Sequence, residues 1–316
     1  MTVIPTSSSA EFLRIDEPAP RSHPELRWEE RLERLRALVA SLGSVVVAYS
    51  GGVDSSVVLR SAHEVLGGRA RGVIGRSDSY AAHELALALE QAASFGAEVE
   101  VVTTGELSDA NFRANPTDRC YHCKRELYRR LDEVARRTRA AAVLDGTIAD
   151  DLTDWRPGRR AAAEYQVRSP LAELGFSKAD VRAAAAHYGL SSRDKPASPC
   201  LASRIPYGTE ITREILNQVE RAEELLRSLG FVELRVRHHG EIARLEIGQG
   251  EMARVLDPEV RARLVRGLGA LGYRFVTLDL EGFRSGSLNV AAGIGGIGLG
   301  ELAPSRGRFT QPVKEG

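Results

Sequence analysis

Short apolar runs alternate with longer amphipathic stretches along the first two thirds of the chain. Val45–Val47 is an apolar, β-branched run and predicts a buried strand. The same patterns predict strands at 70–74, 98–103 and 141–144, and helices at 26–42, 80–95 and 127–139. Strands that alternate with helices are typical of βαβ units. We therefore predict an α/β fold built on a parallel sheet.

The pattern changes near Pro206-Tyr207-Gly208. An amphipathic helix is predicted over 212–229, with Thr212 as its N-cap and Gly230 as its stop signal. The elements expected after it are strands at 231–237 and 242–247 around His238-His239-Gly240, a helix at 258–271 and a strand at 274–280. Together they predict a small α+β unit at the C-terminal end.

These patterns divide the chain into two predicted domains and two tails. The α/β domain is expected over 26–205 and the α+β domain over 206–284. Residues 1–25 are rich in Ser, Pro and charge, and residues 285–316 are rich in Gly. Both end segments are predicted to be flexible tails because they lack a periodic apolar pattern.

Composition narrows the class of protein. The 316 residues include 43 basic and 43 acidic side chains, so the net charge is zero, which argues against a nucleic-acid partner. No apolar run reaches transmembrane length, and the first 25 residues lack the apolar core of a signal peptide. We therefore expect a cytoplasmic protein without a membrane partner, in which cysteines bind metal or act in catalysis more often than they form disulfides.

A loop of small residues, Ser50–Ser55, connects the first predicted strand to a helix. Gly51 and Gly52 carry no Cβ, so the backbone can approach a phosphate at the helix N-terminus. Asp54 would repel phosphate, and a bound Mg²⁺ would explain its presence. The loop lacks the lysine of a Walker A motif. The sequence therefore predicts a nucleotide-phosphate site of another type.

Two further segments follow predicted strand ends, Ser77–Ser79 and Gly146–Asp151. The carboxyl ends of parallel strands share one edge of the sheet, so both segments are expected around the same nucleotide. Asp150, Asp151 and Asp154 are candidate ligands of ATP or metal, although Asp also serves as a helix N-cap.

The three cysteines lie in motif-like surroundings. Cys120 and Cys123 form a C-x-x-C motif, and Cys200 lies in SPCLASR. The C-x-x-C motif alone suits zinc, a redox dithiol or an iron–sulfur cluster. Zinc needs a fourth ligand, and His122 is awkwardly placed between the two cysteines, whereas three thiolates suit a four-iron cluster whose open iron holds sulfide. The alternative is an incidental pair with a buried Cys200.

The chain resembles the PP-loop ATP pyrophosphatase superfamily and, within it, the LarE family of ATP-dependent sulfur transferases. The resemblance covers about residues 32–283 and is carried by SGGVDS at 50–55, NPTDRCYHCK at 115–124, DGTIADDLTDWRPG at 145–158, RSPLAELGFSK at 168–178 and SPCLASRIPYG at 198–208. It implies a PP-loop sheet with helices on both faces, and a smaller C-terminal domain used in assembly of a homo-oligomer. Ile148 departs from the asparagine common in such segments.

The resemblance also implies a reaction. Members adenylate the carboxylates of pyridinium-3,5-biscarboxylate mononucleotide with ATP and Mg²⁺, and sulfur then displaces AMP. The product leads to the nickel-pincer nucleotide. In one branch the cysteine that matches Cys200 gives up its own sulfur and becomes dehydroalanine. In the other, cysteines that match Cys120, Cys123 and Cys200 hold a [4Fe-4S] cluster that delivers sulfide from an external source, and this chain has that pattern.

The predicted site combines these observations. Cys200 and Asp54 are the expected catalytic residues. The expected ATP contacts are Ala48, Ser50, Gly51, Gly52, Asp54, Ser55, Ser79, Gly146 and Arg204. Arg204 is alternatively a modulator of the Cys200 thiol or a plain surface ion pair. The expected contacts of the substrate phosphate or a metal are Glu224, Arg235, Arg237 and Glu246, with a solvated charged face as the alternative. His238 and His239 are weaker ligand candidates, expected in a polar turn.

Two other functions stay open. One is a different PP-loop activity, namely tRNA thiolation or an amide-forming synthetase. The other is a non-catalytic nucleotide sensor with a metal site.

Overall fold

The computed structural model describes residues 26–152, 156–196 and 198–284. The helices are α1 (Trp28–Leu42), α2 (Val53–Leu66), α3 (Ala82–Ser94), α4 (Ala110–Arg113), α5 (Arg119–Thr138), α6 (Gly158–Glu164), α7 (Pro170–Glu173), α8 (Lys178–His187), α9 (Arg213–Ser228) and α10 (Pro258–Ala270). The strands are β1 (Val45–Ala48), β2 (Ala70–Arg76), β3 (Val99–Thr103), β4 (Ala142–Leu144), β5 (Leu234–His239), β6 (Ile242–Ile247) and β7 (Phe275–Leu278). Both predicted tails and Asp154 lie outside the described residues.

The first sheet has the strand order β3-β2-β1-β4, and every neighbouring pair is parallel. The central strand β1 is buried on both faces. Val45 and Val47 pack with α1, α2 and α8, whereas Val46 and Ala48 pack with α5 and α6. This alternation follows from the two-residue period of a strand. The predicted parallel α/β sheet with helices on both faces is confirmed.

The second sheet has the order β5-β6-β7, with β5 antiparallel and β7 parallel to β6. Leu226 of α9 and Leu264 of α10 pack against Val236 and Leu245 on one face of this sheet. The predicted small α+β unit is therefore confirmed as a mixed three-stranded sheet. Thr212 caps α9 through a bond from the Ile215 N–H to its hydroxyl at 3.3 Å.

An apolar cluster and two polar contacts connect the elements around the first sheet with those around the second. The N-cap residue of α3 provides no side-chain bond, and Glu220 of α9 instead accepts a 2.7 Å bond from the Ala82 N–H. Arg213 pairs with Asp78 at 3.1 Å. The buried residues of the cluster are Ala81, Phe112, Leu201, Ala202, Ile205, Ile211, Leu216 and Val219. We call this set the junction cluster.

Some predicted boundaries were wrong. Helix α5 begins at Arg119 rather than at 127, so Cys120 and Cys123 lie in its first two turns. Its early residues are mostly polar, and tertiary packing of Tyr128 and Leu131 stabilises the helix instead. Helices α6 to α8 were not predicted.

The strand β5 was also misplaced, because it runs to His239 and the turn lies at Gly240. His238 is therefore buried in the sheet and contacts the Tyr273 hydroxyl, rather than lying in a polar turn. Within the described ranges, none of the helices has both the length and the apolar character needed to cross a membrane.

Candidate active site

The loop between β1 and α2 fits closely against two neighbouring segments. Gly51 has a φ of 69°, and a Cβ there would lie 2.5 Å from the Cβ of Ala88 on α3. A Cβ on Gly146 would lie 2.6 Å from the Ser55 backbone nitrogen. Helix α2 begins at Val53 without a side-chain cap. Its first N–H groups and its dipole therefore suit an anion at this end.

Hydroxyl groups hold the loop in shape. The Ser50 N–H donates to Ser55 Oγ at 3.2 Å, and Ser55 Oγ donates to the Gly52 carbonyl at 3.1 Å. Tyr80 donates to the Ser50 carbonyl at 3.0 Å. Ala48, the last residue of β1, lies buried beneath the loop. The loop is therefore fixed by its own backbone and hydroxyls.

Asp54 forms an ion pair that the sequence patterns did not predict. The Lys178 ammonium contacts both Asp54 carboxylate oxygens, at 2.7 and 2.8 Å. Both side chains remain partly exposed, at 39% for Lys178 and 28% for Asp54. Lys178 opens α8, in the segment RSPLAELGFSK. That segment was the one available signal for it.

The two other segments expected around the nucleotide, at 77–79 and 146–151, lie where the sequence placed them, after β2 and β4. We call the edge of the sheet that they share with the loop at 50–55 the nucleotide rim. Ser79 is buried and donates to Glu106 Oε1 at 2.9 Å. Asp150 accepts a 2.9 Å bond from the Lys178 N–H at the start of α8, whose N-cap is Ser177. Asp151 pairs with Arg156 at 2.7 Å, and burial raises the pKa of Asp151 despite that partner.

The three cysteines come near one another beside this rim. Cys123 and Cys200 both pack against the junction cluster, and Cys200 raises the pKa of both Cys120 and Cys123. The N–H of Leu201 donates to the Ser79 carbonyl at 2.8 Å. Cys120 is exposed, and the other two thiols are half-buried. All three cysteines are free. The geometry therefore links the Cys200 segment directly to the nucleotide rim.

The surroundings of Cys120 and Cys123 favour the protonated forms of their thiols. Burial raises the pKa of the Cys123 thiol well above its ordinary value, and the Glu106 carboxylate adds to the rise. Desolvation and Cys200 raise the pKa of Cys120, which Arg119 and Lys124 partly oppose. Because the thiolate is the reactive and metal-binding form, a bound cation would favour ionisation of Cys120 and Cys123.

An arginine cluster lies next to the Cys200 segment. Arg204 is 4% exposed and pairs with Glu223 at 2.8 Å, so the surface-pair alternative for Arg204 is wrong. Arg237 pairs with the fully buried Glu246 at 2.9 Å and donates to the Ser203 carbonyl at 2.6 Å. Arg235 lies on the same face of the sheet as Arg237 and Glu246 and is 3% exposed. The solvated-face alternative is therefore wrong for Arg235, Arg237 and Glu246.

Charge repulsion acts within this cluster. Burial and the neighbouring Arg204 and Arg237 lower the pKa of Arg235 to about 10. The Arg235 guanidinium donates to the Arg284 carbonyl at 2.8 Å and lies 4.5 Å from the Phe283 ring centre. Burial opposes the charge of Glu223, yet Arg204 and Arg227 hold the pKa of Glu223 below its usual value. An anion would relieve the excess positive charge.

Similar proteins occur in bacteria and archaea. The chain is 43% identical over 256 residues to the pyridinium-3,5-bisthiocarboxylic acid mononucleotide synthase of Lactiplantibacillus plantarum. The aligned region covers 81% of this chain and 92% of that protein. The chain belongs to this synthase family. An uncharacterized protein of Synechocystis is 44% identical over 83% of this chain and 97% of its own length. One from Methanocaldococcus jannaschii is 27% identical over 76% of this chain and 91% of its own length. No family model matches.

For this member of the synthase family, one predicted contact is placed differently from expectation. Glu224 lies exposed on α9, while its neighbour Glu223 is buried and contacts Arg204, Arg227 and the Val236 N–H. Glu223 lies on the apolar face of α9 with Val219 and Leu226, and that spacing was the signal that could have found it. Glu106 and Lys178 were missed because the fold brings them to partners far away in the chain. The roles of the predicted site residues in binding and catalysis stay predictions.

Proposed function

We propose that this chain uses ATP to replace carboxylate oxygen by sulfur in pyridinium-3,5-biscarboxylate mononucleotide, a step toward a nickel-pincer nucleotide. The observation that carries the proposal is the position of the Cys200 segment, which is bonded to Ser79 at the nucleotide rim and to Arg237 of the arginine cluster, in a chain of this synthase family. The L. plantarum relative bears the name of that product's synthase.

Activation of the carboxylate is assigned to the loop and its neighbours. The Gly51–Val53 backbone and the α2 N-terminus would bind phosphate oxygens. Asp54 would hold Mg²⁺, which supplies positive charge to the phosphates when bound. Lys178 neutralises Asp54 in the structure and would transfer its contact to a phosphate oxygen. The tight contacts at Gly51 and Gly146 fit this assignment because they keep the loop rigid.

The substrate phosphate is assigned to the arginine cluster. Arg204, Arg235 and Arg237 lie close enough for Arg235 to lose basicity, and a phosphate would compensate that charge. Glu223 and Glu246 orient two of the guanidiniums through paired bonds. Ser203 connects this cluster to the Cys200 segment. One bound mononucleotide would thus be held next to the sulfur source.

Sulfur delivery is assigned to Cys120, Cys123 and Cys200 as ligands of a [4Fe-4S] cluster. Among the described residues, no group of three His, Cys, Asp or Glu side chains converges as a single metal ion requires. A cluster makes a different demand, because each cysteine sulfur binds its own iron. Three free thiols without a fourth cysteine fit a cluster with one open iron, where an added sulfide would bind.

The alternative is loss of sulfur from Cys200 itself, leaving dehydroalanine. The Arg204 guanidinium donates to the carbonyls of Pro199 and Cys200, at 2.6 and 3.3 Å, and would hold the Cys200 backbone in place during such a reaction. This route needs only Cys200. It therefore predicts that Cys120→Ser and Cys123→Ser variants keep one turnover.

Two measurements test the proposal. Oxygen-free purification should give protein with about four irons and labile sulfide per chain, lost in each Cys→Ser variant. With Mg·ATP, sulfide and substrate, mass spectrometry should show the thiocarboxylate and AMP. Iron-free protein that loses the mass of H₂S from Cys200 would favour the sacrificial route. No pyrophosphate release with this substrate would overturn the function. The homo-oligomer expected from the family resemblance is testable by light scattering.

A further inference from the structure

Helix α3 contacts the loop at 50–55, here called the phosphate loop, along one face of the helix. Ala88 packs under Gly51, and the Tyr49 hydroxyl donates to the Ala88 carbonyl at 3.0 Å. One turn further, Gln91 Nε2 donates to Ser56 Oγ at 2.6 Å. Residues spaced by three and four lie on the same face of a helix. The phosphate loop is therefore fixed to a definite stretch of α3.

The same face of α3 also holds the chain that leads to Cys200. Gln91 Oε1 accepts a 2.7 Å bond from the Ser192 N–H, and Gln91 is 4% exposed. At the other end of the face, the Lys195 ammonium forms an ion pair with Glu84. Their side chains are only 20% and 13% exposed. This pair is more shielded from water than Asp54–Lys178 and therefore less weakened by salt.

Lys195 stands five residues before Cys200, and the intervening segment includes Pro196 and Pro199. Glu84 also forms a side-chain hydrogen bond with Ser198, which stands two residues before Cys200. Leu201, just past Cys200, is held by the Ser79 carbonyl. Cys200 is therefore tethered on both sides, once to α3 and once to the nucleotide rim.

We infer that Lys195 and Glu84 are a positioning pair that sets the distance between the Cys200 sulfur and the activated carboxylate at the phosphate loop. The inference rests on the proposed function. The pair contacts the Cys200 tether and not the phosphate loop, so it serves the sulfur-transfer step and leaves adenylation intact. Burial acts against the Glu84 charge, but His83, Lys195 and Ser198 together lower the pKa of Glu84 to about 2, so the carboxylate is ionised at neutral pH.

The two steps can be measured separately in Lys195→Met and Glu84→Gln. ATP–pyrophosphate exchange with the pyridinium substrate should stay within about twofold of wild type, while single-turnover thiocarboxylate formation falls about tenfold or more. Lys195→Arg, which keeps the charge, should restore most of the transfer rate. Glu90→Gln, on an exposed position of the same helix, is the matched control and should change neither rate. An equal fall in both rates, or no fall in transfer, would overturn the inference.

A second readout does not need activity. In iron-free protein, iodoacetamide should alkylate Cys200 about fivefold faster in Glu84→Gln than in wild type, because the tether is released. Cys120, on α5, provides the internal reference and should react at an unchanged rate. If wild type catalyses no pyrophosphate exchange, the proposed function fails, and an unchanged Cys200 rate would then separately overturn the positioning role. Glu84→Asp replaces Glu84→Gln if the latter does not fold, with the same expectation.

Discussion

The phosphate loop and the arginine cluster handle charge in opposite ways. The loop carries one partly exposed ion pair, Asp54–Lys178, and its shape depends on backbone and hydroxyl contacts. The arginine cluster is buried, and its shape depends on ion pairs such as Arg237–Glu246. A charge that is not needed for folding is free to change partners when a ligand binds. Removing the ion pair at the loop should therefore change ligand binding with little change in the free energy of unfolding. Removing an ion pair of the arginine cluster should change both.

The largest effect on the free energy of unfolding is expected for Arg237→Met. It removes the paired bonds from Arg237 to the buried Glu246, which also pairs with Arg244 at 3.3 Å, and should cost about 3 kcal/mol or more in urea unfolding. Arg274→Met is the matched control, because the Arg274–Glu241 pair is about 70% exposed at each partner and should cost little. Equal costs would remove the distinction between the two regions.

Gly146→Ala should have an intermediate effect. The new methyl group would overlap the Ser55 backbone, which cannot move without shifting α2, so we expect a loss of about 1–3 kcal/mol and weaker ATP binding. Calorimetry with a non-hydrolysable ATP analogue measures both. Gly68→Ala is the control, because a Cβ there meets nothing within 4 Å. Unchanged affinity would show that the loop tolerates displacement.

Asp54→Asn should change stability least among these substitutions and activity most. The exposed pair with Lys178 contributes at most about 1 kcal/mol to folding. Pyrophosphate release should nevertheless fall about 100-fold or more, because the metal-binding charge is lost. Urea midpoints and initial rates on the same sample test both statements. A stability loss as large as that of Arg237→Met would contradict the comparison.

The stability should also depend on pH through Glu84. The folded-state pKa of Glu84 is about 2, below its ordinary value of 4.5. The ionised carboxylate therefore stabilises the fold above about pH 4.5, and this contribution is lost as the pH falls toward 2. The difference in urea midpoint between wild type and Glu84→Gln should be constant near neutrality and shrink over that acidic range. A difference that grows with acidity would contradict it.

Features encoded by neighbouring residues were predictable from the sequence. The strand, the Gly loop and the helix around residues 45–59 are contiguous, and each follows from local chemistry. Lys178 reaches Asp54 across 124 residues of chain, and Glu223 reaches Arg204 across 19. Neither pairing leaves a periodic mark in the sequence. The early start of α5 was missed because its first turns carry polar side chains and depend on tertiary packing for stability.

The junction cluster affects how the two units of the molecule unfold. Ala81 and Phe112 from one unit pack with Ile211, Leu216 and Val219 from the other, and α3 takes its N-terminal cap from Glu220. A chain cut between Ile205 and Pro206 would expose these apolar side chains to water on both pieces. We therefore expect the two units to unfold together in a single transition, although each has its own sheet and its own core.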